Sequence, residues 1–344
     1  MQGSLAKNSS ITFGDIDHFV LFGGGRVLAN VALKLRSSGY AVRVVTSERH
    51  RNEFLPDSPG TFESFLADQE LEVTVSDDVN DDSRVLGYMT DRTLGISFGA
   101  AWIFEKEFID RFEGRLLNSH GSRLPQDRGG GGFSWRILRG DRQGFSLIHQ
   151  VAPGIDTGTI VAYNEYLFPH HCRIPVDYQN YSLKMNLELL DMFLEKLRAR
   201  SEFECVGQPE YLSTYWPRLS TDLHGYIDWG WSATEIEQFV CAFDDPYRGA
   251  SSFVNGTKVR LKKCLMGTSD GTFHPFQYGI IFRASGSAIH VAAKGGSLIF
   301  TNVTAEDGTD MMGRLGPGDR FYTDREHLDE AKRRRVIYTP RGLK

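Results

Sequence analysis

No stretch of this chain is apolar for long enough to cross a bilayer, which takes about 20 consecutive apolar residues. Its first residues also lack the charged-then-apolar pattern of a cleavable signal. Cysteine is scarce. Cys172, Cys205, Cys241 and Cys264 are scattered without metal-ligand spacing, which speaks against a disulfide framework and for a reduced, cytoplasmic protein. A basic surplus is missing too: 39 Lys and Arg stand against 44 Asp and Glu, a net charge of −5, which argues against a dedicated nucleic-acid binder. What remains is ordinary. With 40% hydrophobic and 24% charged residues the chain is not largely disordered, and 344 residues suffice for two domains with a core each.

The most informative stretch runs LLNSHGSRLPQDRGGGGFSWRILRGDRQGFSLIHQVAPGIDTGT. Leu116 and Leu117 lead in like the end of a buried strand. Asn118 and His120, two apart, share a face in extended chain. Residues 122–132 hold a proline and four successive glycines, which forbid regular structure and let backbone approach a ligand. FSWRILRG reads as a helix, FSLIHQV as a strand, and APGIDTG as a loop delivering Asp156. With the two strands as parallel neighbours, a right-handed crossover would bring Asn118, His120 and Asp156 to one sheet edge, where open α/β sheets bind ligands.

Such a trio has a definite chemistry. A carboxylate orients a neighbouring imidazole and raises its pKa, and an Asn amide donates to an oxygen that turns negative when a carbonyl is attacked. No Ser or Cys beside His120 has a nucleophile context, so the set suits acyl transfer to a nucleophile supplied by the substrate. The same residues also read as a strand-end histidine and a turn aspartate, and spacing alone does not separate the two.

The motif N-S-H-G-S-R-L-P-(three residues)-G, followed by G-I-D-T-G, resembles the signature of the 10-formyltetrahydrofolate-dependent formyltransferases. The resemblance implies Asn118, His120 and Asp156 as the catalytic trio and 10-formyltetrahydrofolate as the formyl donor. It further implies folate contacts from Ser122, Arg123, Leu124 and Pro125, from Ala152, Pro153, Gly154 and Ile155, and from a pterin-holding loop at Trp102, Ile103 and Phe104. The last three read equally as core residues leading into a helix. Two departures touch the acceptor side: Arg123 stands where the family commonly has leucine, and a glycine run replaces R-G-A-A-P.

Elsewhere, residues 1–14 are polar and read as a flexible leader. HFVLF, three glycines and RVLANVALKLRSSG form a strand, turn and helix. Leu28 occupies the place of the third glycine of a dinucleotide fingerprint, so a tight turn of the sheet is the preferred reading. YSLKMNLELLDMFLEKLRAR is a long amphipathic helix closing the first domain. His170, His171 and Cys172 are adjacent loop residues without partners, and no metal is expected. The looser, proline-bearing stretch 204–223 reads as a linker. A capping box at Ser232 and Glu235 then opens a helix, and short strands separated by glycine turns follow.

The expected architecture is a Rossmann-like α/β formyltransferase domain over residues 15–203, joined through 204–223 to a small β-barrel (OB-like) domain over 224–344. The second part resembles the C-terminal domain of the tRNA and sugar formyltransferases, and D-P-Y-R-G-A, with W-P-R-L and I-D-W, sits nearest the sugar-modifying branch. The expected acceptor is the amine of a nucleotide-linked amino sugar, in polysaccharide biosynthesis. Methionyl-tRNA is the alternative, a non-catalytic folate-binding relative the second, and a homodimer is the assembly considered.

Overall fold

A computed structural model describes residues 9–55, 60–130, 132–267, 269–339 and 342–343. Its larger sheet has seven strands: β1 (His18–Gly23), β2 (Ala41–Thr46), β3 (Glu72–Val75), β4 (Thr93–Phe98), β5 (Leu116–His120), β6 (Gln143–Gln150) and β7 (Ile160–Leu167). The spatial order is β3-β2-β1-β4-β5-β6-β7. The first five neighbours run parallel. β1 and β4 are buried almost throughout, as interior parallel strands covered on both faces must be. β7 alternates buried and exposed residues and forms one edge.

Helix α1 (Gly25–Ser37) packs Leu28, Val31 and Leu35 onto one face of the sheet. Gly23 makes the turn before it possible. Its φ is +124°, and a Cβ there would fall inside the Phe98 carbonyl. Leu28, in the place of a third glycine, is fully buried, which suits a turn of the sheet rather than a phosphate cradle. The opposite face is covered by Phe108 and Phe112, around a helix at Lys106–Arg111. The long helix begins six residues before Tyr181, the first residue of its sequence pattern, as α3 (Pro175–Arg198). Pro175 starts it, where a missing N–H costs nothing, and the Asp177 carboxylate accepts from the Arg173 and Ile174 amides. Its Leu189, Leu190, Phe193, Leu194 and Leu197 are buried, each contributing about 1.5–3 kcal/mol of apolar burial.

The leader expectation does not hold beyond residue 8. Met1–Asn8 lie outside the described residues, but Ser9–Ile11 pair antiparallel with Phe203–Cys205, and Phe13 is buried against Phe193 and Phe203.

Six antiparallel strands make the second sheet: β8 (Ala250–Val254), β9 (Thr257–Gly267), β10 (Ile281–Ser285), β11 (Ala288–Ala293), β12 (Gly296–Ala305) and β13 (Phe321–Tyr322), in the order β10-β11-β12-β9-β8-β13. Its two edges meet. Ile281 donates to Asp319 (2.8 Å) and Phe321 to Gly279 (2.9 Å), curling the sheet into a small barrel with no free edge at that seam. Helix α4 (Ala233–Ala242), opened by the Ser232–Glu235 capping box, turns Ile236, Phe239 and Val240 into the barrel core. That core also takes in Ile137, Phe168 and Tyr178 from the first part of the chain. Ser134, on α2 (Gly132–Leu138), donates its hydroxyl to the Ala242 carbonyl at 2.8 Å.

Candidate active site

β5 and β6 are antiparallel, not the parallel neighbours the crossover argument assumed. Their C-terminal ends therefore point to opposite edges, and strand direction alone would part His120 from Asp156. Two local features reunite them. Asn118 is the direct ladder partner of His149, so Asn118, His120 and His149 project from the same face. Between β6 and β7 the chain then folds back: Gln150 donates to the Thr159 carbonyl (2.8 Å), and the register slips between Ile148 and His149. Asp156, at the crest of this loop, adopts φ +52°, a left-handed conformation that Asp tolerates better than most residues.

The result is a half-buried cluster. Asp156 Oδ1 lies 3.8 Å from His120 Nδ1 and 3.7 Å from His149 Nε2, and its Oδ2 accepts the Gly129 amide at 2.9 Å. His120 Nε2 is 3.2 Å from the Asp127 carbonyl. A carbonyl can only accept, so Nε2 carries the hydrogen and the lone pair of the neutral ring sits on Nδ1, toward Asp156. By the same reasoning His149 keeps its hydrogen on Nδ1, 2.7 Å from the Gln150 carbonyl, and accepts an Asn118 N–H at Nε2, 3.0 Å away. Asn118 retains its second N–H for the site.

The electrostatics correct one expectation. Burial is the largest influence on His120 and pulls its pKa below the usual histidine value; Asp156 opposes this without overcoming it, while His149 adds to the lowering. For Asp156 burial acts upward but is outweighed by the charge of His120, by His149 and by the Gly129 N–H, so the carboxyl is held far below the usual range. At neutral pH the pair is therefore a neutral imidazole facing a carboxylate: a base ready to take a proton, beside the charge that would stabilise the imidazolium. A sign follows for activity. The base form is lost as pH falls, and the pKa is depressed, so the acid limb of kcat/KM should lie below pH 6.5, the ordinary value for histidine. A pH–rate profile with that limb above 6.5 would contradict His120 as the neutral base.

His149 was not singled out by the sequence pattern, since its face can be read only once the antiparallel register is known. Gln208 was missed as well. Its amide donates to the carbonyls of Asp156 (2.9 Å) and Gly158 (2.6 Å), strapping the loop from within the stretch expected to be a linker. That stretch does more than connect: Tyr215–Trp216 pair parallel with Arg128–Gly129, and Gly130 donates to Trp216 at 2.8 Å. The glycine segment is thus largely engaged with its own chain. Arg128 is buried and bound to Gln208 and to Glu210 (2.8 Å), whereas Arg123 is exposed. Gly131 lies outside the described residues.

The remaining expected contacts divide by burial. Ser122, Leu124 and Pro125 are buried just beyond His120. Ala152 is half-buried, and Pro153, Gly154 and Ile155 are exposed on the Asp156 loop. The loop after β4 reaches the sheet edge at which β5 also ends. Trp102 and Phe104 are core residues there, Trp102 donating to Asp77 (3.1 Å) and Phe104 stacked on Phe108, while Ile103 is 75% exposed. Asn80 braces this loop through the Ile103 carbonyl (3.2 Å) and the Glu105 amide (2.9 Å).

Ligand atoms of His120, His149 and Asp156 lie within 4.8 Å of one another, close enough to raise the question of a metal ion. The donor set fits poorly, because the His149 lone pair at Nε2 already accepts the Asn118 amide. Cys172, in the other His/Cys grouping, is buried in its own turn.

A family model described as formyl transferase matches residues 91–171, and a second, described as formyl transferase, C-terminal domain, matches residues 220–315. The methionyl-tRNA formyltransferase of Neisseria gonorrhoeae is 24% identical over 301 residues, covering 85% of this chain and 94% of that protein. That of Geotalea uraniireducens is 25% identical over 222 residues, which span 63% of this chain and 66% of the relative. Among solved structures, an N-formyltransferase from Helicobacter canadensis in complex with folinic acid and dTDP-3-aminofucose superposes with a TM-score of 0.62. It is 17% identical and covers 83% of this chain and 98% of its own.

Proposed function

The chain belongs to the 10-formyltetrahydrofolate-dependent formyltransferase family, and from that premise we propose that it formylates the amine of a nucleotide-linked amino sugar. The observation that carries the chemistry is the convergence of Asn118, His120 and Asp156 around a neutral imidazole lone pair. The acceptor amine attacks the formyl carbon on N10 of the folate. As the carbonyl oxygen turns negative, the free N–H of Asn118 donates to it. The amine gives up a proton to His120 Nδ1, and the imidazolium so formed faces Asp156. The C–N10 bond then breaks, N10 leaves with a proton, and the formamide is released. Burial of the cluster strengthens each of these charge interactions. Residues 122–125 and 152–155, flanking His120 and Asp156 in the chain, supply the folate contacts in this reading, with Ile103 at the edge of the pterin loop.

The sugar is favoured over tRNA by the net charge of −5 and by the sugar-branch pattern D-P-Y-R-G-A. The Helicobacter structure, with its dTDP-3-aminofucose, is consistent with that choice. The curated relatives favour methionyl-tRNA, so the two acceptors must compete in one assay. Purified protein with 10-formyltetrahydrofolate should formylate a nucleotide-linked amino sugar from a panel, with a rate that changes little between low and moderate salt. Methionyl-tRNA should remain unformylated. An acceptor that neutralises many phosphates loses affinity steeply with salt, so efficient, salt-sensitive formylation of methionyl-tRNA with inert sugars would reverse the assignment.

A further inference from the structure

The barrel carries a cleft of its own, on other elements than the formyl-transfer site. It opens between residues 228–230, 275–278 and 320–323 and measures about 600 Å³, within the range of about 300–1,000 Å³ usual for small-molecule sites. Trp229 forms its floor, buried and stacked on Phe321 at 5.5 Å with 10° between the rings. The Trp229 N–H is held by Ser252 at 2.9 Å, so the indole cannot turn away. Tyr278 and Tyr322 add aromatic wall, the latter 38% exposed.

Two cations line this cleft, Lys294 and Arg320, against one carboxylate, Asp228, in a chain that is net negative. Among the described residues neither cation has an acidic partner within 4.0 Å. Arg320 is instead held in place by the ring of Phe276, 4.8 Å below its guanidinium, and by the Phe276 carbonyl at 2.6 Å. It is fixed without being neutralised. Asp228 Oδ1 accepts from Gly230 at 2.9 Å and leaves Oδ2 available.

Aromatic surface beside two positive charges, that of Arg320 fixed and that of Lys294 on an exposed side chain, defines a ligand that is flat at one end and anionic at the other. We propose that the barrel cleft binds a mononucleotide, its base against the aromatic side chains and its phosphates at Lys294 and Arg320. The ligand is either a free nucleotide or the nucleotide half of a nucleotide-linked sugar, held apart from the reacting amine.

Hydrogen–deuterium exchange on the full chain localises the ligand. dTDP should protect amides within residues 275–280 and 320–328, while thymidine and inorganic pyrophosphate, each offering half the recognition, should need at least about tenfold higher concentration. Protection by dTDP-glucose equal to that by dTDP identifies the nucleotide half of a sugar as a sufficient ligand; protection by dTDP alone restricts the site to free nucleotide. The double variant Lys294→Glu/Arg320→Gln should lose the protection. Lys294→Glu alone, at an exposed side chain, should weaken it at least about tenfold even if the pair impairs folding. No protection by dTDP, or equal protection in Lys294→Glu, overturns the proposal. Pyrophosphate acting as well as dTDP overturns the nucleobase assignment, and protection by deacylated tRNA but not by dTDP overturns it in favour of RNA. Formyl transfer in Lys294→Glu should be unchanged, so failure here leaves the proposed reaction standing, and failure of that reaction leaves this cleft to be judged on its own exchange pattern.

Discussion

His120→Ala should lower turnover by about 10²–10⁴-fold, the usual contribution of a positioned general base. The structure makes the loss specific. The ring sits between the Asp156 carboxylate and the Asp127 carbonyl, with its lone pair on the Asp156 side. Removing it leaves the Asn118–His149 bond and the Gly129–Asp156 bond in place, so the donor N–H and the loop are expected to persist. Folate binding should persist too, because its contacts are assigned to other residues. Binding of 5-formyltetrahydrofolate, measured as a rise in melting temperature, serves as the control: at a hundredfold excess over Kd the stabilisation is about 2.7 kcal/mol for any variant that still binds. Near-normal turnover with a normal thermal shift would remove His120 from the mechanism. Loss of both would mean that the variant had damaged the pocket rather than the chemistry.

The sequence carried the trio but not the route by which it assembles. Asn118 and His120 were legible because a period of two is a property of any strand, and Asp156 because its glycine-flanked loop resembles a known motif. The direction of β6 was not legible. A helix between two strands suits a parallel crossover, yet α2 is only Gly132–Leu138, and the chain returns antiparallel after it. His149 therefore went unread, and with it the group that orients Asn118. The pKa of His120 was misjudged for a related reason: a charged neighbour can be guessed from a motif, whereas burial depends on everything that packs around it. Gln208 and Tyr215–Trp216 illustrate the same limit. A loose, proline-bearing stretch reads as a linker, and nothing local reveals that its backbone pairs with Arg128–Gly129 at a separation of 87 residues. The barrel was more accessible, since four of its six strands read as short apolar segments between glycine turns, although Ala250–Val254 and Phe321–Tyr322 did not and its closure through Ile281 and Asp319 is long-range.

Gly158→Ala tests the turn on which Asp156 depends, at a residue that touches no reacting atom. A Cβ at this position would fall inside the Gln150 carbonyl. That carbonyl cannot move freely. It accepts from the His149 ring at 2.7 Å, and Gln150's own amide is bonded to Thr159. On the other side, the Gly158 carbonyl accepts from Gln208, which also holds the Asp156 carbonyl. A methyl group must therefore push the loop outward, and the displacement passes to Asp156 two residues away and to His149 through the Gln150 carbonyl. A misplacement of about 1 Å in a positioning group costs about 10²-fold in rate, and the strained backbone should lower the melting temperature as well. The expected result is a fall in kcat of about 10²-fold, with a rise in the KM for the folate because the same loop carries the proposed contacts at 152–155, in a protein that is still folded at the assay temperature. Gly154→Ala, at an exposed loop position where a Cβ meets only the side chain of Thr157, should be milder by comparison. If Gly158→Ala turned over at the wild-type rate, the loop's close return against β6 would not be what holds Asp156 in place.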